Sequence, residues 1–198
     1  MTYYIVGLGN PGDEYKESRH NVGRDIVDFF RKKNGFSEWK LNNKAKALTS
    51  EGKIGKNDVD LILPDAYMNK SGVSLRGFIT SVKAAHSAVV VYDDLDLPIG
   101  KMKISFNRSS GGHRGVLSIE KNLKTREFIR LRVGVTPATA SGKLKKPHGE
   151  KEVVDFILGK FKKSESEELK KVYKRASEAL EDVVKDGLEK AMGKWNSN

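Results

Sequence analysis

Cysteine is absent from the 198 residues, which excludes disulfides, thiolate metal sites and cysteine nucleophiles and is compatible with a reducing compartment. Long apolar runs are missing as well. No stretch is long enough to span a bilayer, and Asn10, Pro11 and Gly12 break the opening apolar run before it can form the core of a secretion signal. A cytoplasmic protein without a membrane partner is expected. Prolines number only five and aromatic residues make up 8%, which argues against a disordered or fibrous chain and against a stacking platform for bases.

What is present is a globular composition with a strong charge bias. Hydrophobic residues make up 37% and charged residues 32%, and a chain of this length suits one domain with a sizeable core better than two cramped ones. Lysine and arginine number 37 against 26 aspartate and glutamate, a formal net charge of +11. A polyanionic partner fits that excess, and so does a merely soluble basic surface.

Apolar periodicity divides the chain into interleaved strands and helices. Tyr3 to Leu8 reads as a buried strand closed by a Gly-Asn-Pro-Gly turn. Val22, Ile26, Phe29 and Phe30 predict a helix from about Val22. Lys44 to Ser50 and Val59 to Leu63 predict a hairpin, with Gly52 and Gly55 to Asp58 as turn residues. A helix over Ser71 to Val82, a buried strand over Ala88 to Tyr92, a weaker strand over Met102 to Phe106 and a helix over Ser118 to Leu123 come next. Phe128 to Val135 alternates as a half-buried strand, with Arg130 and Arg132 on one face and Leu131, Val133 and Val135 on the other. Residues 135–151 lack periodicity and predict a mobile loop, and Val153 to Phe161 a short helix or turn. Ser164 and Glu167 have capping-box spacing and open a long amphipathic C-terminal helix over 164–192, marked by Leu169, Val172, Tyr173, Leu180 and Val184. The expected fold is α/β: a single domain over 1–198, with a twisted mixed β-sheet flanked by α-helices.

Gly7, Gly9 and Gly12 match the glycine pattern of a dinucleotide site. That motif opens directly into a helix and needs an acidic residue at the end of a second strand about 20 positions on. Here helical periodicity waits until Val22 and Asp28 falls within the helix itself, so a plain strand-to-turn cluster is the better reading. An oxidoreductase binding such a cofactor is therefore disfavoured.

Ligands of α/β sheets bind beyond the carboxyl ends of strands. Three apolar strands lead there to polar groups: the first to Asn10, the second through Pro64 to Tyr67, Met68 and Asn69, the third to Asp93. His20, in the first strand's trailing loop, can reach the same edge if the strands run parallel. An imidazole near its unperturbed pKa can deprotonate water, a carboxylate can fix its tautomer, and side-chain amides can hold the water or the developing oxyanion. His20 is the candidate base, Asp93 its partner, and Asn10 and Asn69 the amides. Neither Gly-x-Ser-x-Gly nor cysteine offers a nucleophile, so direct attack by water is the simpler chemistry. The competing idea is a metal on Asp93, Asp94 and Asp96. It has little support, because the four histidines (His20, His86, His113, His148) form no His-x-x-x-His pair.

The ordered set GLGNPG, Tyr15, Arg19-His20-Asn21-Val22-Gly23, Tyr67-Met68-Asn69-Lys70-Ser71-Gly72, Asp93-Asp94-Leu95-Asp96-Leu97-Pro98-x-Gly100 and Gly111-Gly112-His113-x-Gly115 resembles the bacterial-type peptidyl-tRNA hydrolases over residues 1 to about 160. The resemblance implies cleavage of the ester joining a peptide to the terminal ribose of tRNA, by a monomer without metal or cofactor. It implies His20 as the base paired with Asp93, Asn10 and Asn69 lining the site, Tyr15 and Tyr67 as further substrate contacts, and Met68 as an apolar wall. Lys103 and Arg132 match a clamp for the tRNA 5′-phosphate, and Lys143, Lys145 and Lys146 add nonspecific phosphate contacts. A noncatalytic RNA-binding protein on the same scaffold is the alternative.

Two positions depart from the family pattern. Arg114 stands where asparagine is usual, replacing a group that both donates and accepts with one that only donates; it is a candidate substrate contact. Ser105 replaces a second clamp lysine. His113 is read as structural, holding its glycine-rich loop.

Overall fold

The computed structural model describes residues 1–197. The strands are β1 (Thr2–Gly7), β2 (Lys40–Asn42), β3 (Ala47–Ile54), β4 (Asn57–Pro64), β5 (Ala88–Pro98), β6 (Met102–Phe106) and β7 (Ile129–Thr136). The α-helices are α1 (Val22–Lys33), α2 (Val82–Ala85), α3 (Arg114–Leu123), α4 (Gly149–Leu158), α5 (Ser166–Asp186) and α6 (Leu188–Trp195). One seven-stranded sheet runs in the order β2-β3-β4-β1-β5-β7-β6. β4, β1, β5 and β7 are parallel to one another, and β3 and β6 pair antiparallel at the flanks. The expected single-domain mixed sheet is observed.

The central strands are buried on both faces, as parallel strands between helical layers must be. Ile5, Leu61, Val89 and Leu131 pack with α1, α5 and α6 on one side. Their neighbours Val6, Ile62 and Val90 pack with α3 and the 3-10 helix Met68–Leu75 on the other. α1 presents Val22, Ile26, Val27 and Phe30 to the sheet, each large apolar side chain contributing roughly 1.5–3 kcal/mol on burial. Asp25 lies in the first turn and Arg31, Lys32 and Lys33 in the last, which complements the helix dipole.

Several boundaries differ from the sequence reading. Ser71 to Val82 is not one helix: the chain forms the 3-10 helix Met68–Leu75 and then the short α2. Gly72 lies so close to α3 that a Cβ there would sit 2.2 Å from the Ser118 carbonyl, and the Ser71 hydroxyl donates back to Met68 O at 2.8 Å, favouring the tight turn. Gly52 is inside β3, where it makes room for the Phe36 ring. α3 begins at Arg114, four residues before the predicted start, because His113 caps it. The predicted loop 135–151 is shorter, since Val135 and Thr136 finish β7 and α4 starts at Gly149.

The C-terminal helix over 164–192 is likewise corrected. Ser164 does not cap it, and the Glu165 carboxylate takes the Lys162 backbone N–H instead at 2.7 Å. Gly187, at φ 88°, then breaks the helix into α5 and α6. The turn folds α6 back so that Trp195 Nε1 donates to Asp182 at 2.8 Å. Asn196 also reaches the outer edge of β6, bonding both the N–H and the C=O of Ile104 at 2.8 Å, so that part of the edge is closed.

β7 is not half-buried. Arg130 is 0% exposed, and its guanidinium is held by Glu120 at 3.1 Å, by the carbonyls of Arg126 and Phe128 at 3.0 Å and by Arg108 O. Both terminal nitrogens are thus paired, which offsets much of the cost of burying the charge, while Nε has no hydrogen-bond partner.

Where α1 meets α5, Tyr173 donates to the Asp25 carboxylate at 3.2 Å. Burial pushes the Asp25 carboxyl up to about 6, outweighing the Tyr173 bond and Arg24. The folded protein thus holds this proton more tightly than the unfolded chain, so stability is lost as pH rises through about 6. Asp25→Asn should leave stability unchanged near pH 4 and raise it at pH 7.5 by at most about 3 kcal/mol, measured by urea denaturation at both values. Equal stability at pH 7.5 would remove Asp25 as the source of strain.

Candidate active site

β4 and β1 end beside β5, with Gly7 level with Val91. β5 does not stop at Tyr92 as the sequence suggested but runs on to Pro98, because β7 continues to pair with it. Asp93 therefore lies within the strand, just past the end of β1, and the site forms there. α1 can start directly over this edge because Gly23 has no side chain: a Cβ would sit 2.2 Å from Val91 O. The Asn10 backbone N–H donates to Asn21 Oδ1 at 2.8 Å, and Asn21 Nδ2 returns a bond to Asn10 O at 2.9 Å. Asn10 Oδ1 accepts the Met68 N–H at 2.9 Å. The amide oxygen of Asn10 is thereby committed, and its Nδ2 is the end that can donate to a ligand. Met68 is buried against α3, where Gly115 leaves the necessary room: a Cβ would lie 2.4 Å from Met68 Sδ and 3.1 Å from His113 Cε1.

His20 lies in the 3-10 turn Arg19–Asn21, only 7% exposed, and its Nδ1 meets Asp93 Oδ1 at 2.8 Å. His113 Nε2 meets the same oxygen at 3.0 Å, and the two rings are 5.0 Å apart. His113 Nδ1 accepts the backbone N–H groups of Gly115 and Val116 at 3.2 and 3.3 Å. A lone pair is required at that nitrogen, so Nε2 carries the proton and donates to Asp93. Burial alone would raise the Asp93 carboxyl, but the two imidazoles outweigh it and hold the group well below the usual carboxylate range. As an ionised acceptor, Asp93 orients Nδ1–H of His20 toward itself and leaves the His20 Nε2 lone pair facing away.

His20, Asp93 and His113 place three ligand-type atoms within 4.8 Å of one another. They suit protons better than a cation. Metal on His113 Nε2 would move its proton to Nδ1, against two backbone donors. The aspartate triplet of the sequence is dispersed as well: Asp93 serves the histidines, Asp94 takes Arg132 Nε at 2.5 Å, and Asp96 takes Lys146 at 2.6 Å.

The structure brings His20, Asp93, Asn10 and Met68 together and sets the other predicted residues around them. Asn69 is exposed at the start of the 3-10 helix, Tyr67 is 62% exposed and Tyr15 is half-buried. Lys103 and Arg132 are register partners on β6 and β7, with Lys103 exposed. Ser105 is buried opposite Arg130 in the same ladder and supplies no cation. Arg114 turns outward, its guanidinium paired with Glu150 at the start of α4.

The family model described as peptidyl-tRNA hydrolase matches residues 4–198. The chain belongs to the peptidyl-tRNA hydrolase family. It is 40% identical over 195 residues to the peptidyl-tRNA hydrolase of Alkaliphilus oremlandii, covering 98% of this chain and 99% of that one. A peptidyl-tRNA hydrolase of a Thermoanaerobacter species is 39% identical with the same coverage. Among solved structures, the family enzyme from Acinetobacter baumannii superposes with a TM-score of 0.87 at 30% identity, over 99% of this chain and 95% of that one. A complex of a family member with N-propanol gives 0.87 at 31% identity and the same coverage.

Sequence reasoning assigned His113 to its loop and did not connect it to Asp93. The usable signal was the run Gly111-Gly112-His113, in which a polar side chain after two glycines can cap a helix. Asn21 and Arg19 appeared only within a motif, and Glu150 gave no signal. Because His113 both caps α3 and donates to Asp93, His113→Ala should cost about 1–3 kcal/mol. His113→Asn, which can still cap, should cost less in the same urea titration. Equal losses would show that the cap contributes nothing.

Proposed function

We propose that this protein hydrolyses the ester between a peptide, or an N-acylated amino acid, and the terminal ribose of tRNA. Membership of the peptidyl-tRNA hydrolase family supports the reaction. The bond between His20 Nδ1 and Asp93 at 2.8 Å supports the mechanism, because it leaves a lone pair at Nε2. In this mechanism His20 Nε2 takes a proton from water as the oxygen attacks the ester carbonyl carbon. The carbonyl electrons move to oxygen, where the donors of Asn10 and Asn69 stabilise the charge. Collapse breaks the bond to the ribose oxygen, which takes the proton back from the His20 imidazolium. Asp93 stays ionised throughout and stabilises that imidazolium. No step requires a metal or cofactor.

Met68, Tyr67 and Tyr15 face the acyl group, while Lys103 and Arg132 hold a tRNA phosphate. Asp94 braces Arg132 through Nε, which leaves the terminal nitrogens for two parallel bonds to phosphate oxygens. Lys143 and Lys145 extend the cationic track, and Arg114 joins it when it exchanges Glu150 for a phosphate. Recognition by phosphate and shape suits an enzyme that accepts many tRNAs. The protein acts as a cytoplasmic monomer. Among the described residues no helix is long and apolar enough to cross a membrane.

Peptide release from an N-blocked aminoacyl-tRNA should proceed with EDTA present and leave unblocked aminoacyl-tRNA intact. His20→Ala should lower kcat by about two orders of magnitude or more with tRNA affinity nearly unchanged. Full activity in that variant would sink the mechanism, and binding without turnover by the wild type would favour the noncatalytic alternative. Lys103→Ala should raise KM and flatten its dependence on log salt by roughly 0.7 to 0.9, the contribution of one phosphate. An unchanged slope would remove Lys103 from the clamp.

A further inference from the structure

Arg19 precedes the proposed base and belongs to the same single turn, Arg19–Asn21. It is 3% exposed, and everything around its guanidinium is built to hold it. Nη1 donates to Val135 O at 3.0 Å, and Nη2 meets both Glu165 carboxylate oxygens at 2.8 and 3.1 Å. The rings of Phe156 and Phe161 each stand 4.7 Å from its Cζ. Its backbone N–H donates to Gly159 O at 3.0 Å, beside the Ser18–Lys160 bridge.

The Val135 contact connects this anchor to the chemistry. Val135 lies on β7, two residues beyond Val133, which is the register partner of Asp93 on β5. Arg19 thus fastens the turn carrying His20 to the ladder that carries Asp93, and both ends of the His20–Asp93 bond are referred to the same pair of strands. A single 3-10 turn has little rigidity of its own. Here it is fixed at Arg19 by Val135 and Glu165, at His20 by Asp93 and at Asn21 by Asn10. One planar group that gives Nη1 to a carbonyl and Nη2 to a carboxylate while lying against two rings is a task for guanidinium that an ammonium cannot reproduce.

We propose that Arg19 is a positioning residue for His20: clamped by Glu165, Phe156 and Phe161, it sets where the His20 imidazole stands over the ester. The proposal rests on His20 being the base. Phe156 is on α4 and Phe161 just beyond it, and α4 has no fully buried residue of its own. Both rings also pack against the hydrophobic core, so Arg19 ties the turn carrying His20 to a segment that the core itself holds in place.

The test is the paired variant R19Q/E165Q, which removes both charges together so that neither is left buried alone, with R19K beside it. Steady-state kinetics on an N-blocked aminoacyl-tRNA, thermal melting and the imidazole ¹⁵N spectrum of His20 are measured for each. In the folded paired variant kcat should fall between about tenfold and about a hundredfold, the range for a misplaced catalytic group, while KM stays within about twofold. The spectrum should change from one Nδ1–H tautomer to a mixture. R19K should recover only part of kcat, and it carries the test if the paired variant does not fold. A merely structural Arg19 would lower the melting temperature and leave kcat and the spectrum unchanged, which would overturn the proposal. So would a rise in KM at constant kcat. Activity retained in His20→Ala would instead remove the reading on which the proposal rests.

Discussion

One carboxylate oxygen of Asp93 receives two imidazoles, His20 at 2.8 Å and His113 at 3.0 Å, and the site is organised around that shared acceptor. Asp93 is 4% exposed, where an unpaired carboxylate would take up a proton to escape the low dielectric. Two donors keep it ionised, and an ionised acceptor fixes the proton of each ring on the side facing it. For His113 the other nitrogen is committed to the start of α3. For His20 the other nitrogen is left with a lone pair, so the arrangement that satisfies a buried charge is also the one that prepares a base.

The sheet makes this possible by ending β1 and β4 beside β5, which runs on and carries Asp93 just past them. Hydrogen bonds then fix the loops that leave the strands: Asn10 to Asn21 after β1, Met68 to Asn10 after β4, and His113 to Asp93 across the loop after β6. Arg130 contributes from beneath. By holding Arg108 O it ties down the loop that leads to His113.

Acidic residues temper the positive charge near the site. Asp94, Asp96 and Glu150 each pair with a cation, Arg132, Lys146 and Arg114 in turn. The half-buried Asp94 pair orients Arg132. The Lys146 and Arg114 pairs are exposed, and exposed pairs are weak and readily exchanged for another anion. The chain's main departure from the family pattern, Arg114, therefore leaves the His20–Asp93 pair intact, because its guanidinium turns away to Glu150.

The sequence by itself determined the alternating strands and helices and pointed to His20, Asp93 and Asn10 as neighbours, although β5 runs past Asp93 rather than ending there. Hydrophobic period, turn chemistry and the order of motifs are local properties, and each is written in a few neighbouring residues. Tertiary structure decided the rest. Whether Ser71 to Val82 could be one helix depended on the space Gly72 must yield to Ser118, and whether Arg130 faced water depended on β6 and α3 covering it. The second histidine on Asp93, the dispersal of the three aspartates and the outward turn of Arg114 were settled in the same way. Each is a pairing between groups 20 to 50 residues apart, and only packing brings such groups within hydrogen-bond reach and removes the water that would otherwise satisfy them.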